Sequence, residues 1–234
     1  MNTGKSLSRT IGILILLHLA VGLIVPFAML QRLKSSPGFL VNAASMPNRI
    51  RVAVMLLFLG SALSIAISCA ALHLFRQYSS AMAYWLLALA VASFSLQAVD
   101  NAHILSMLSL SQEYALAGPA KAELFQTLAV VVGAARKWPH YCFLLVAVSW
   151  ILLLCGVLYR FRLVPRALAA FGLITCVLQI ASVTFRGFWG LPPETRLAMP
   201  LAPAYAGLAL WLIVKGFTER TRPLETHAYS GSAS

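Results

Sequence analysis

Six stretches of mainly apolar residues, each bordered by Lys or Arg, are the feature of this sequence that most limits its fold. They cover residues 11–30, 52–75, 83–110, 140–159, 167–185 and 197–217. A helix needs roughly 20 apolar residues to cross the hydrocarbon core of a bilayer. In lipid the backbone polar groups have to bond within helices. The pattern therefore predicts an all-α polytopic bundle of about six spanning helices.

The composition excludes the usual soluble classes of protein. Sixty per cent of the 234 residues are hydrophobic and only 10% are charged, whereas a typical globular domain has about 25% charged residues. These values exclude a disordered chain, a water-soluble enzyme domain and an ordinary nucleic-acid-binding module, in spite of the net charge of +12. The cations flank the apolar stretches instead, where they anchor helix ends among lipid headgroups. The lipid bilayer is therefore the expected partner, and no nucleic acid is expected.

One transmembrane domain over residues 1–219 is predicted, followed by a polar, Ser-rich tail over 220–234 that we expect to be disordered. Residues 122–136 are apolar but too few for a crossing. They form either an interfacial or re-entrant helix or an extension of the fourth span, in which Pro139 would produce a kink. The sequence leaves both alternatives open. Gly60, Ser64 and Ser68, spaced four apart in the second span, predict a seam of close helix packing.

The orientation of the bundle depends on how the basic residues are distributed. With six spans both termini lie on one side, and that side and the opposite side each carry nine Lys and Arg residues. The positive-inside rule gives most weight to short loops. The densest short basic loop contains Arg160, Arg162 and Arg166, on the side of the termini. We therefore expect both termini to be cytoplasmic.

Three short motifs resemble a family of uncharacterised bacterial inner-membrane proteins, the domain of unknown function numbered 4386. They are LYRFRLVPR at 158–166, LALWLIVKGF at 208–217, and Asn48-Arg49-Ile50 at the start of the second span; His140 at the start of the fourth is also similar. The resemblance implies a multi-pass protein of the bacterial inner membrane and supplies no catalytic residue. Where members often carry Arg and Glu in the third span, this chain has Gln97 and Asp100.

Two spans carry polar stripes at helical spacing. The stripe of the third span consists of Ser93, Gln97, Asp100 and His103, and the stripe of the fifth consists of Thr175, Gln179, Ser182 and Arg186. Polar residues inside a membrane cost free energy and usually face the bundle interior. Asp100 and His103 lie late in the third span, His140 begins the fourth span, and Arg186 ends the fifth. Because consecutive spans run in opposite directions, these four residues should lie in one leaflet of the bilayer. The candidate ligand-binding residues are Asp100, His103, His140, Gln179 and Arg186.

Three interpretations of this group compete. The first is structural, an Asp100–Arg186 ion pair with the histidines hydrogen-bonded. The second is a binding site for a lipid headgroup or small anionic ligand, with guanidinium and imidazolium as donors. The third is a catalytic or metal site formed by Asp100, His103 and His140.

The leading functional hypothesis is a non-enzymatic membrane protein that binds a lipid or small ligand in a polar intramembrane pocket. The same hypothesis includes a non-enzymatic subunit of a membrane complex, whose partner would be another membrane protein or a second copy of the chain. The alternative is a membrane-embedded enzyme, a lipid-modifying or metal-assisted hydrolase that uses Asp100, His103 and His140. The sequence identifies no cofactor.

Overall fold

The fold is a bundle of α-helices in a computed structural model that describes residues 2–190, 197 and 199–218. The helices are α1 (Asn2–Ile24), α2 (Gln31–Lys34), α3 (Phe39–Asn42), α4 (Pro47–Arg76), α5 (Ser80–Leu116), α6 (Ala122–Arg160), α7 (Arg166–Phe188) and α8 (Leu201–Val214). A π-helical turn, Val25–Met29, continues α1, and a 3₁₀ turn, Pro119–Lys121, precedes α6. The described residues contain no strand, which confirms the all-α prediction. The tail 220–234 lies outside them.

Five helical segments are long and apolar enough to cross a membrane: Lys5–Met29, α4, α5, α6 and α7. The last predicted span, 197–217, is helical over a shorter stretch, the 14 residues of α8. At 1.5 Å per residue α8 is roughly 21 Å long, short of the hydrocarbon thickness of about 30 Å. Its limits are set by Pro200 at the N-cap and by Gly216, which follows the helix with a φ of +81°.

α6 runs without interruption from Ala122 to Arg160 and contains Pro139. Residues 122–136 are therefore the first part of the fourth helix and not a separate interfacial or re-entrant helix. Proline has no N–H to donate to the carbonyl four residues earlier, so the Ala135 carbonyl lacks its helical backbone hydrogen bond. Arg136 and His140 lie one turn apart on either side of this weak point.

The long helices form a closed ring in chain order: each packs on the next, from α1 through α4, α5, α6 and α7 to α8, and α8 packs on α1. Trp150 of α6 lies inside the ring with 1% of its surface exposed. Its indole N–H donates to Ser68 Oγ of α4 at 2.9 Å. Ser64 and Ser68 are buried, and Gly60 abuts Val21 of α1. These contacts confirm the predicted packing seam on α4.

Both ends of the described chain lie at one end of the bundle. Gly216 contacts Ser8 of α1, Thr218 N–H donates to the Leu163 carbonyl at 2.8 Å, and the rings of Tyr78 and Phe161 lie 5.0 Å apart. We call this the basic end. Its described cations are Lys5, Arg9, Arg76, Arg160, Arg162, Arg166 and Lys215.

The apolar interior is divided into two clusters. The larger cluster extends toward the basic end and includes Ile15, Leu86 and Leu158. The smaller lies toward the opposite end and includes Ile50 and Ile104. Along α5 the buried polar residues Gln97, Asp100 and Asn101 fall between the two clusters. The candidate site therefore lies between the two apolar clusters, where the core is interrupted by polar residues.

Gly12 offers a test of how closely α1 and α8 approach. A Cβ at Gly12 would lie 2.7 Å from Ile213 Cγ1 and 2.8 Å from the Ala209 carbonyl oxygen. Because the second of these atoms is backbone, we expect Gly12→Ala to lower the free energy of unfolding by about 1–3 kcal/mol, the usual cost of overpacking. Denaturation in mild detergent, followed by circular dichroism, measures this change.

The matched control is Gly22→Ala on the same helix, where a Cβ would meet nothing within 4 Å. Alanine is the better helix former by about 1 kcal/mol. We therefore expect this variant to be as stable as the parent or slightly more so. Equal losses in the two variants would mean that close approach to α8 is not what requires glycine at position 12.

Candidate functional site

Asp100 is a buried carboxylate held by a guanidinium. Its side chain is 2% exposed. Arg136 Nε donates to Oδ1 at 3.0 Å, and Arg136 Nη2 donates to Oδ2 at 3.4 Å. Two bonds from one planar guanidinium to both oxygens of a carboxylate are the strong, geometrically specific form of this pair. The negative charge of Asp100 is therefore balanced inside the protein.

His140 is the second partner of Asp100. Its Nδ1 lies 3.3 Å from Asp100 Oδ2. An ionised carboxylate only accepts hydrogen bonds, so we assign the proton of this contact to Nδ1. The other ring nitrogen, Nε2, is then a lone-pair base in the neutral ring and a donor in the protonated ring. We refer to Asp100, Arg136 and His140 as the Asp100 triad.

The triad forms because α6 stays helical through Pro139. Residues four apart lie on the same helix face, so Arg136 and His140 point together toward α5, on which α6 packs. An unpaired carboxylate in an apolar interior would cost several kcal/mol. The contact between α5 and α6 satisfies Asp100 with two partners from a single helix face.

Neighbouring amides extend this polar group to α4. Gln97 Nε2 donates to Asn101 Oδ1 at 2.8 Å, and Asn101 Nδ2 donates to the Val54 carbonyl of α4 at 3.4 Å. Gln97 and Asn101 are 1% and 0% exposed. Three adjacent helices of the ring, α4, α5 and α6, are thus joined by polar contacts at one level.

The structure brings together two of the five predicted site residues, Asp100 and His140. His103 is half-buried one turn further along α5. Gln179 is half-buried and Arg186 exposed on α7, which packs on α6 and α8. The expected Asp100–Arg186 ion pair is wrong, because the guanidinium bound to Asp100 is that of Arg136.

The last turn of α7 nevertheless lies at the level of the triad along α6. The rings of Trp138 and Phe188 are 5.6 Å apart, and a Cβ at Gly187 would lie 3.1 Å from the ring of Tyr141. Arg186 therefore shares the depth of His140, as the sequence predicted, but not its interior position. A role for Gln179 and Arg186 in ligand binding stays a prediction.

The sequence reasoning missed Arg136 and Asn101. The signal for Arg136 was its spacing of four from His140, which matters only if the helix continues through Pro139. Asn101 follows Asp100 directly and lies on the side of α5 that faces α4. Arg136 would have been found by asking which polar groups on either side of Pro139 could reach Asp100.

The triad keeps unused hydrogen-bonding capacity. A guanidinium has five N–H donors, and Arg136 gives two of them to Asp100, which leaves three. The side chains of Arg136 and His140 are 17% and 35% exposed. These groups suit an anionic oxygen ligand. Within the part of the chain that the structure describes, no three His, Cys, Asp or Glu side chains are grouped closely enough to hold a metal ion.

A family model described as "Domain of unknown function (DUF4386)" matches residues 10–216. The chain belongs to this family. No curated protein and no solved structure matched the chain. Membership confirms the resemblance seen in the short motifs and, with the five apolar helices, supports an integral membrane protein of unknown function. Any activity therefore has to be argued from the chain's own geometry.

The ion pair is tested by removing one partner at a time. Asp100→Asn leaves the Arg136 charge without a counter-ion, and Arg136→Gln leaves a buried carboxylate with His140 as its remaining partner. We expect each change to lower the free energy of unfolding by about 2–3 kcal/mol. The double variant should cost less than the sum of the two, because it leaves no unpaired charge. Denaturant titration in detergent micelles measures all three values.

Arg186→Gln is the control for loss of a guanidinium at the same depth. Arg186 is exposed, and exposed substitutions usually change stability by less than about 0.5 kcal/mol. A loss at Arg186 equal to that at Arg136, or additive losses in the double variant at Asp100 and Arg136, would contradict the assigned pairing.

Proposed function

We propose that the protein is a non-enzymatic integral membrane protein that binds an anionic oxygen group, a phosphate or carboxylate, at the Asp100 triad. The group would belong to a lipid headgroup or to a small ligand. The observation that carries the proposal is the unused donor capacity of Arg136, beside a partly exposed imidazole. A planar guanidinium matches carboxylate and phosphate oxygens through pairs of N–H donors.

The charge of the site supports an anion more than a cation. Asp100 and Arg136 cancel, so the triad is neutral with His140 neutral and carries +1 with His140 protonated. Lys137 and Arg186 are exposed near the same level of the bundle. An incoming anion would thus meet donors and positive charge, while the one carboxylate is 2% exposed and already bonded.

The depth of the triad also supports a headgroup or a ligand from the aqueous phase. Asp100 follows Ser80 by 20 residues, and His140 precedes Arg160 by 20. Both separations correspond to roughly 30 Å of helix, which is the thickness of the hydrocarbon core. With the basic end at one membrane surface, the triad would lie near the other.

The experiment compares Arg136→Lys with Arg186→Lys. Arg136→Lys keeps a positive charge for Asp100 but removes the planar set of donors. We expect it to weaken binding of the anion by about tenfold, the loss of one charge-assisted hydrogen bond. Arg186→Lys keeps the positive charge, which is all that this exposed side chain would offer an anion, so it should change the dissociation constant less than about twofold. Native mass spectrometry in mild detergent gives both constants.

Two probes distinguish the sources of the anion. Short-chain phosphatidylglycerol presents the phosphate with acyl chains, and glycerol 3-phosphate presents it without them. In the part of the binding that Arg136→Lys weakens, preference for the first probe identifies a lipid site, and equal binding identifies a site for a soluble ligand. Equal effects of the two substitutions on both probes, or no binding of either probe to the parent protein, would contradict an anion site at the triad.

A subunit of a membrane complex, or a homo-oligomer, is the second candidate, and the length of two helices favours it. α5 and α6 have 37 and 39 residues, so each exceeds the hydrocarbon thickness by roughly 25 Å. In this extension Leu124, Val130 and Val131 of α6 are 58%, 73% and 60% exposed. Such a surface suits contact with another protein.

The paired change Val130→Ser and Val131→Ser tests this candidate. We expect an oligomer of the parent chain to dissociate, because the change removes apolar contact area without touching the triad. Multi-angle light scattering in detergent reports the mass. A control with serine at Val91, which is 47% exposed about halfway between Ser80 and Asp100 on α5, should leave the mass unchanged. A parent protein that is monomeric and purifies without a partner would contradict the candidate.

The contact between Asp100 and His140 is the feature that favours the enzyme alternative. A carboxylate that orients a histidine and fixes its tautomer is a recurring arrangement in hydrolases. His103, the third residue of that hypothesis, has no contact with this pair that would complete a metal site in the described part of the chain. The anion-binding proposal needs only the remaining donors of Arg136 and the partly exposed imidazole of His140, and it therefore stands first.

For the location we propose the cytoplasmic membrane of a bacterium, with both termini in the cytoplasm. Two observations support this. The short motifs resemble bacterial inner-membrane proteins, and the tight turn between α6 and α7 carries three arginines on the side of the termini. Short basic loops stay on the cytoplasmic side during insertion.

A further inference from the structure

Three of the seven described cations of the basic end rest against aromatic rings. Arg76 lies 5.5 Å from the ring centre of Tyr84, Arg160 lies 5.7 Å from that of Phe161, and Arg166 lies 5.9 Å from that of Tyr159. Lys5, Arg9 and Lys215 differ from these. Within residues 2–190 and 199–218, their side chains have no ion pair, ring contact or hydrogen bond. Among the residues that the structure describes, three charged groups at one place are thus without a partner.

The packing of α1 against α8 brings these three cations to one cleft. Lys5 and Arg9 are one turn apart on α1, and Lys215 follows the last residue of α8. They line a common cleft together with Ser8, Ile213, Val214 and Gly216. Gly216 has a φ of +81°, and a Cβ there would lie 3.1 Å from Ser8 Oγ. This close approach sets Lys215 beside the first turns of α1.

No carboxylate in the described part of the chain balances these charges. The described acidic residues are Asp100, Glu113 and Glu123, which lie on the far parts of α5 and α6. Three like charges around one small cleft repel each other, and the repulsion is relieved when an anion binds between them. Basic clefts between spanning helices at the membrane surface bind lipid headgroups in this way.

An apolar surface continues from the cleft along both helices. Ile13 and Leu17 follow Arg9 at intervals of four on α1 and are 50% and 51% exposed. Val214 of α8 is 69% exposed. A cationic band directly above exposed apolar side chains matches a phospholipid, whose phosphate lies above its acyl chains.

We propose that the cleft formed by Lys5, Arg9 and Lys215 binds the phosphate of an anionic membrane phospholipid, whose acyl chain lies along Ile13 and Leu17. This site lies at the basic end, about 30 Å along the helices from the Asp100 triad. Its existence does not depend on the function proposed for the triad.

The test replaces all three cations with glutamine and measures retained phosphatidylglycerol by native mass spectrometry in mild detergent. The parent chain should retain one more phosphatidylglycerol molecule than the triple variant, which should bind it at least about tenfold more weakly. The control removes the same charge from the same end, as Arg76→Gln, Arg160→Gln and Arg166→Gln. These cations already contact rings, so the control should weaken binding less than about twofold.

Further arms separate this site from its alternatives. The triple variant should lose the same phosphatidylglycerol affinity in a background that carries Arg136→Lys, since the triad is a separate site. The zwitterionic phosphatidylcholine should not compete, and millimolar inorganic phosphate should not displace the lipid. An equal loss of phosphatidylglycerol affinity in the two triple variants would overturn the proposal, because it would show that the lipid is attracted by the charge of the whole basic end. Displacement by inorganic phosphate would overturn the lipid assignment.

The substituted side chains are exposed, so we expect the variants to fold. If the triple variant fails to fold, Lys215→Gln alone serves, because Lys215 lies outside the helices. It should lower phosphatidylglycerol affinity about fivefold, whereas Lys215→Arg should restore the parent value. Unchanged affinity in a folded Lys215→Gln variant would overturn the proposal.

Discussion

The ion pair between Asp100 and Arg136 is the interaction on which the middle of the bundle depends. A bilayer offers no hydrogen-bond partner for a carboxylate, so its charge has to be balanced by the protein itself. The balancing guanidinium comes from the adjacent helix, four residues before His140. The pair in turn depends on α6 staying helical through Pro139. If the helix ended there, Arg136 and His140 would not share a face, and Asp100 would lose one of its two partners.

The predictions from hydropathy were accurate for α4 and α7, whereas α6 begins 18 residues before the predicted fourth span. Residues 52–75 and 167–185 lie inside α4 and α7, whose observed limits differ by a few residues. The last span was overestimated, because Pro200 and Gly216 limit the helix from both ends. Hydropathy alone does not register these two residues, since neither makes its neighbourhood polar.

The candidate site was predicted only in part, for a geometrical reason. Spacing along a helix indicates depth and face, and it placed Asp100, His140 and Arg186 correctly at one level. It does not indicate which helices are neighbours. In the ring, α5 packs on α4 and α6, and α7 follows on the far side of α6. Arg186 therefore lies at the depth of Asp100 but on a helix that is not adjacent to α5. Arg136 lies at that depth and on the adjacent helix.

The Asp100 triad and the basic end handle positive charge in opposite ways, and this difference separates a structural role from a binding role. Arg136 is 17% exposed and bonded to both oxygens of Asp100, so part of its bonding capacity already stabilises the fold and only the remainder is open to a ligand. Lys5, Arg9 and Lys215 contribute no such contact, yet the close approach of α1 and α8 at Gly12 and Gly216 holds them together. Keeping like charges close costs free energy that no described side chain offsets. An anion from the membrane offsets that cost without any change in the fold.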